Sequence, residues 1–277
     1  QRMCAGCGCP ITVRNVLRAL HPEDKAVITS ATCCLEVSSC LYPYSSWEDS
    51  FIHTAFENAG ATCSGVEAAY KALRKKGRLD ETYKFIAFGG DGGTYDIGFQ
   101  SLSGAMERGT DMVYVCYDNE AYMNTGIQRS SSTPKFADTT TTAVGKESCG
   151  KTQSKKDLTK IMAAHHIPYI AQASVSHWQD LVRKAEKAIN TDGPAFINAI
   201  SPCPRGWRFP SDQTIDMAKL AVETCAWPLF EVVDGKYILT GESARIASGK
   251  LAKKPLTDWF SAQGRFKHLL TEKWAPV

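Results

Sequence analysis

The sequence has no long apolar run. Its longest uninterrupted apolar stretches, such as Met112 to Tyr117, have six residues, against about 20 needed to cross a bilayer, so no membrane association is read. It also has no block of like charge. Lys and Arg number 32 and Asp and Glu 29, for a net charge of +3, and they are interspersed along the chain. That leaves no basic footprint for nucleic acid, which is excluded as a partner. Low-complexity segments and internal repeats are missing too, and 43% hydrophobic with 22% charged residues is the balance of an ordinary globular chain. No apolar segment separates Gln1-Arg2-Met3 from Cys4, so no signal peptide is read and a cytoplasmic location is expected. The start without an initiator Met points to further residues upstream.

Cysteine, by contrast, is abundant. There are eleven in 277 residues, an odd number that rules out a complete internal disulfide set and favours metal or cluster binding.

Helix and strand patterns alternate along the chain. Apolar spacing predicts helices over 11–20, 57–76, 97–108, 156–164, 178–189 and 215–224, and strands over 25–29, 83–88, 112–117, 168–173 and 195–200. A hairpin over 230–239 turns at Asp234-Gly235. The alternation reads as an α/β fold with a doubly wound, mostly parallel sheet. Residues 1–240 form its domain. Residues 242–277 show no clear core pattern, so 241–277 reads as a C-terminal arm that packs on something else. The polar stretch 118–142 has no periodicity and is long for an idle loop.

The strand over 83–88 runs into Gly90-Asp91-Gly92-Gly93. Open α/β sheets place ligands at such strand ends, where the next helix offers its N-terminus to phosphate oxygens. A bare Asp91 carboxylate repels a diphosphate unless a divalent cation bridges them, which points to magnesium diphosphate. The next strand delivers Asn119, whose amide oxygen, with nearby backbone carbonyls, is a hard ligand of the right type. A lone GDG is as readily a simple turn; GDG and Asn at strand–helix–strand spacing resemble the thiamin-diphosphate motif. The nicotinamide reading is weaker, because the third glycine of G-x-G-x-x-G is missing. Cys4 and Cys7 form a C-x-x-C pair suited to clamping one metal centre, with Cys9, Cys33, Cys34 and Cys203 as candidate further ligands. Zinc, a redox dithiol and an iron–sulfur cluster all fit the pair. Cys40, Cys63, Cys116, Cys149 and Cys225 read as inert buried thiols.

Five segments in order carry a family resemblance: Cys4-Ala5-Gly6-Cys7-Gly8, Ala31-Thr32-Cys33-Cys34-Leu35-Glu36-Val37, Phe88-Gly89-Gly90-Asp91-Gly92-Gly93-Thr94-Tyr95, Asp118-Asn119-Glu120-Ala121-Tyr122-Met123-Asn124-Thr125, and Ser201-Pro202-Cys203-Pro204-Arg205-Gly206-Trp207. Together they resemble the beta subunit of pyruvate:ferredoxin oxidoreductase and related 2-oxoacid oxidoreductases, over essentially the whole chain. The resemblance implies a thiamin-diphosphate-binding subunit of a hetero-oligomer with a nearby [4Fe–4S] cluster. By position it gives cluster ligands Cys4, Cys7, Cys34 and Cys203, with Cys33 standing where the family usually has Gly. It gives Mg²⁺ ligands Asp91, the Asn119 side chain and the Ala121 carbonyl. Gly90, Gly92, Gly93, Asn119, Asn124 and Thr125 fall to the cofactor, with Asn124 facing its reactive ring as the catalytic residue. Cys9 departs from the Glu or Ala often found there. The polar loop 130–142 would touch the cofactor or another subunit.

The implied reaction is oxidative decarboxylation of a 2-oxo acid, expected to be pyruvate with coenzyme A, with electrons passed to ferredoxin. Oxalate, which needs no coenzyme A, and an aryl glyoxylate are the enzymatic alternatives. Decarboxylation leaves two electrons to be removed, a task for an iron–sulfur cluster and not for redox-inert zinc. Alpha and other subunits would supply the rest of the thiamin site, including the carboxylate that activates the cofactor; Glu36, Glu57 and Glu120 read as structural. From other classes, a zinc-stabilised binding module and a cofactor-free scaffold remain as rivals. His165 and His166 read as caps of a helix end, and Trp207 and Phe209 as packing or as a shield for the cluster.

Overall fold

The computed structural model describes residues 2–274. Six strands run parallel: β1 (Lys25–Ala31), β2 (Ser50–Thr54), β3 (Tyr83–Gly90), β4 (Val113–Asp118), β5 (Tyr169–Ser174) and β6 (Ala195–Ile200). The hairpin β7 (Phe230–Val233) and β8 (Lys236–Leu239) extends the β5 edge antiparallel. The order across the sheet is β2-β1-β3-β4-β6-β5-β7-β8. The doubly wound, mostly parallel architecture is therefore present.

Both faces are covered, which is why the central strands read as continuous apolar runs. Alternate residues serve opposite cores. Ile86, Phe88, Val113, Val115 and Tyr117 face α1 (Cys9–Leu17), α2 (Cys34–Ser39) and α6 (Trp178–Ile189). Phe85, Ala87, Tyr114 and Cys116 face α3 (Ala59–Lys75), α4 (Phe99–Glu107) and α5 (Leu158–Ala163). A third core lies beyond the strand ends and joins α7 (Pro204–Trp207), α8 (Thr214–Glu223) and α10 (Leu256–Ser261) through Trp207, Met217, Trp259 and Phe266. Between α8 and α10 lie β7, β8 and α9 (Gly241–Ala247).

β2 and α2 have no counterpart in the sequence expectation, and three further segments differ from it. The first helix starts at Cys9, two residues early, because Pro10 sits comfortably in a first turn whose N–H groups are unbonded anyway. The helix expected at 97 starts at Phe99 and follows a π-helical turn, Gly92–Ile97, closed by Gly98 N–H donating to Gly93 O at 2.7 Å. The segment after residue 240 is folded on its own chain: Trp259, Arg265 and Phe266 are buried in the third core. Its pattern is obscure in sequence because a cation and Gln263 occupy core positions.

Candidate active site

The chain passes from β1 to β2 on one side and from β3 to β4 on the other. The carboxyl ends of β1 and β3 therefore flank the switch point at which such sheets open a crevice. The β1 end carries Cys33 and Cys34, the β3 end Asp91, the β4 end Asn119, and the β6 end Cys203. One cleft is lined by Cys34, Gly90–Gly93, Asn119, Ala121, Asn124 and Thr125. The structure thus brings together all the residues expected to hold the organic cofactor.

Asp91 is fully buried. Its Oδ2 accepts from Ser130 Oγ at 2.5 Å and its Oδ1 from the Asn119 backbone N–H at 3.3 Å. One terminal atom of the Asn119 amide lies 2.9 Å from Asp91 Oδ1 and 2.9 Å from the Ala121 carbonyl oxygen. With nitrogen there, the amide donates to both; with oxygen there, three oxygens converge. Octahedral Mg²⁺ with oxygens at 2.0–2.1 Å spaces neighbouring ligands about 2.9 Å apart. With oxygen there, the two separations from the Asn119 amide match those between neighbouring magnesium ligands. Burial, with added repulsion from Asp118, pushes the Asp91 carboxyl well above its usual range, and a bound dication would relieve both effects.

Gly92 and Gly93 shape this cleft by lacking side chains. A Cβ on Gly92 would stand 2.4 Å from the Tyr122 ring, and one on Gly93 2.8 Å from the Phe56 carbonyl. The π-helical turn keeps both at the strand end. Such turns recur at functional sites.

A buried charge network that the sequence did not announce holds the Asn119–Ala121 loop. Glu120 takes a left-handed backbone, φ 65°. Lys155 Nζ donates to Glu120 Oε1 at 2.8 Å and to Asp118 Oδ2 at 3.1 Å, and Arg265 Nη2 donates to Glu120 Oε2 at 2.5 Å. Despite its burial, the attraction of Lys155 and Arg265 holds the Glu120 carboxyl below its usual range. The Arg265 guanidinium lies 4.1 Å over the Trp207 ring. Asp118 also accepts from Tyr95 OH at 2.8 Å and Ser132 Oγ at 2.6 Å. Trp207 closes the network: its indole N–H donates to Asn119 O at 2.8 Å. Lys155 and Arg265 stand 35 and 145 residues from Glu120, so only tertiary structure reveals them.

The N-terminal cysteines dock on the end of β6. Gly8 N–H donates to Pro202 O at 3.0 Å and Thr12 Oγ1 pairs with Ser201 Oγ at 2.6 Å. Gly6, at φ +70°, is pressed so closely on Ser211 that a Cβ would stand 1.9 Å from its carbonyl oxygen. Cys7, Cys34 and Cys203 lie within electrostatic range of one another, and Cys4 within range of Cys7 and Cys203. Burial and then mutual repulsion with Cys33, Cys7 and Cys203 push the Cys34 thiol up to about 12, while a hydrogen bond with Asn124 opposes that rise. Cys33 also lines the cleft, and its Sγ meets the Ala31 carbonyl and the Tyr117 hydroxyl. Cys9 is 1% exposed and lies within range of Cys7, Cys33, Cys34 and Cys203. All eleven cysteines are free thiols.

Tetrahedral zinc, about 2.3 Å from each sulfur, needs sulfurs about 3.8 Å apart. Among the described residues, the one set of three metal-ligating atoms within 4.8 Å of one another is Glu36, Cys40 and His53. Among the described residues, no three of the Cys4, Cys7, Cys34 and Cys203 sulfurs all lie within 4.8 Å of one another.

Of the thiols read as inert, Cys63 and Cys116 are fully buried, whereas Cys40, Cys149 and Cys225 are half-buried. His165 caps its helix end, donating from Nδ1 to Ile161 O at 2.9 Å. The loop from 118 to 157 wraps beneath the site, where Ser130 and Ser132 hold Asp91 and Asp118.

Residues 31–199 match the thiamine pyrophosphate enzyme family, C-terminal TPP binding domain. The chain is 54% identical to pyruvate synthase subunit PorB of Thermotoga maritima, over 98% of this chain and 82% of that protein. It is 46% identical to ketoisovalerate oxidoreductase subunit VorB of Pyrococcus abyssi, over 97% of this chain and 84% of that one. A 2-oxoglutarate:ferredoxin oxidoreductase from Magnetococcus marinus shares the fold at a TM-score of 0.62 and 22% identity, over 79% of this chain and 76% of that one. With motifs, fold and full-length identity in agreement, the chain belongs to the thiamine pyrophosphate enzymes, in the family of the pyruvate synthase PorB subunits.

Proposed function

We propose that this chain is the beta subunit of a 2-oxoacid:ferredoxin oxidoreductase whose substrate is pyruvate, with coenzyme A as acyl acceptor and ferredoxin as electron acceptor. The observation that carries the reading is the single cleft that Asp91, Asn119, Ala121, Asn124 and Cys34 line together, with Asn124 hydrogen-bonded to Cys34. Relatives named for pyruvate at 54% identity support the substrate.

When bound, thiamin diphosphate supplies the carbon nucleophile and electron sink for decarboxylation, and a [4Fe–4S] cluster takes up electrons one at a time. Asp91, Asn119 and the Ala121 carbonyl hold Mg²⁺ against the diphosphate. The backbone of Gly90–Gly93 would take the diphosphate, and Thr125 lines the same cleft. Asn124, hydrogen-bonded to Cys34, orients the bound acid and keeps the substrate side of the cleft in contact with the cluster side. Cys4, Cys7, Cys34 and Cys203 ligate the cluster. Trp207 and Phe209, packed edge to face at 6.2 Å beside Cys203, exclude water from it.

The space the cleft encloses, about 20 Å³, is far below the about 300–1,000 Å³ of ordinary ligand pockets, which fits a site completed by an alpha subunit. Tyr237, Ile238 and Leu239 on the edge strand β8, and Leu256 and Leu270 beyond it, are exposed. Such an apolar edge suits burial against other subunits. No helix among the described residues is long and apolar enough to cross a membrane, and free thiols throughout suit the reducing cytoplasm.

The test is an anaerobic assay of the native complex with pyruvate, 2-ketoisovalerate and oxalate, each with and without coenzyme A, following ferredoxin reduction. Pyruvate with coenzyme A is expected to give the highest kcat/KM. Faster turnover of oxalate without coenzyme A would replace the substrate assignment.

A further inference from the structure

Outside the cleft, one cluster of ligating side chains serves no part of the mechanism above. Glu36 and Cys40 stand one helical turn apart on and just after α2, and His53 faces them from β2, the edge strand of the sheet. Glu36 Oε1 lies 2.5 Å from His53 Nδ1 and 2.8 Å from Cys40 Sγ, and all three atoms fall within 4.8 Å of one another. Glu36 is 5% exposed and its other oxygen, Oε2, is buried with no hydrogen-bond partner.

We propose that Glu36, Cys40 and His53 form a second metal site, which takes a zinc-like dication. A thiolate, a carboxylate and a neutral imidazole carry two negative charges between them, matching a dication in a half-buried place. Sulfur, nitrogen and oxygen together suit zinc better than the hard Mg²⁺. Tetrahedral zinc needs these atoms about 3.3–3.5 Å apart, so the two short separations would each open by about 0.7–0.8 Å. The opening proceeds toward solvent, because His53 is half-exposed. With Nδ1 on the metal, His53 Nε2–H faces Thr32 Oγ1 at 3.5 Å, the kind of partner that fixes a ligating ring. Thr32 Oγ1 in turn donates to Thr54 O at 2.8 Å. Glu36 Oε2 supplies a further lone pair to the ion, and water the open position.

The consequence is mechanical. α2 begins with Cys34, while β2 is a five-residue edge strand paired only with β1 among the described residues. A metal shared by Glu36, Cys40 and His53 staples the helix that carries a cluster ligand to the sheet edge. The site stands independently of which 2-oxo acid is turned over.

The experiment is performed on the anaerobically purified complex loaded with zinc sulfate and desalted. Zinc and iron are counted, and the zinc K-edge X-ray absorption is recorded, which iron does not obscure. The expected result is about one zinc per chain with a single sulfur at about 2.3 Å and nitrogen or oxygen neighbours at about 2.0–2.2 Å. Cys40→Ala and His53→Gln should each weaken zinc retention against a chelator at least tenfold while iron content and the assembled complex are kept. Absence of zinc from the loaded wild type would overturn the proposal. So would wild-type retention in both variants, or a sulfur-only edge spectrum that places zinc among Cys4, Cys7, Cys34 and Cys203.

Discussion

Asp91 is a fully buried carboxylate with Asp118 and Glu120 close by, and only Ser130, Lys155 and the Asn119 N–H to favour its charge. Its retention makes sense if a dication completes the set. Asp91→Asn should strip Mg²⁺ and thiamin diphosphate from the complex, to below about a tenth of wild type, while iron stays; loss of both cofactors together would refute the separation of the two sites. Arg265 offers a second test. Its removal leaves Glu120 buried with Lys155 as its only cation, and breaking a buried pair costs about 3–5 kcal/mol. Arg265→Ala should therefore lower the thermal midpoint markedly and weaken thiamin retention, both read on the purified complex. Lys151 gives a pH signature. Burial, then the charges of Arg129 and Lys155, hold its ammonium down at about 8 from an ordinary 10.5. Between those values the unfolded chain binds the proton and the folded chain does not, so stability should rise as pH climbs from about 8 to 10.5. Thermal unfolding across that window checks it, and Lys151→Met should flatten the rise.

At the scale of elements, the strands that build the site were legible in sequence because both faces of β3, β4, β5 and β6 are buried, which writes continuous apolar runs bounded by turn residues. β2 was not legible. Only Phe51 and Ile52 are apolar in Ser50–Thr54, and the strand lies at an edge where half its residues face out. α2 escaped for a similar reason, being six residues long with a cysteine and two serines among its positions. The GDG turn was legible as a ligand site, but its π-helical continuation was not, since no local spacing encodes an i to i+5 bond. Two glycines test the elements separately. Gly93→Ala drives a methyl onto the Phe56 carbonyl and should reduce thiamin content with iron unchanged. Gly6→Ala combines a left-handed backbone with a clash on Ser211 and should undock the N-terminal cysteines, reducing iron by about four per chain with thiamin retained.

For the whole molecule, sequence motifs picked out the proposed ligands but not what holds them in register. Cys4–Cys7, Cys34, Asp91, Asn119 and Cys203 are spread over 200 residues, yet each sits at or against the carboxyl end of a parallel strand, which is what a doubly wound sheet provides. The supports are different. Lys155, Ser130 and Arg265 come from loops and from the C-terminal segment, where charge carries no periodic signal, and Trp207 from the four-residue α7. Through Arg265 and Trp207 the last folded segment grips both the Asn119 loop and the helix that follows Cys203. The two proposed cofactor sites are thus separate in their ligands and joined in their scaffold. The most direct test is parallel quantification of thiamin diphosphate and iron in the anaerobically isolated complex, for the wild type, Asp91→Asn and Cys203→Ser. The account predicts both cofactors in the wild type, iron without thiamin in Asp91→Asn, and thiamin with about four fewer irons per chain in Cys203→Ser. Full iron in Cys203→Ser, or full thiamin in Asp91→Asn, would contradict it.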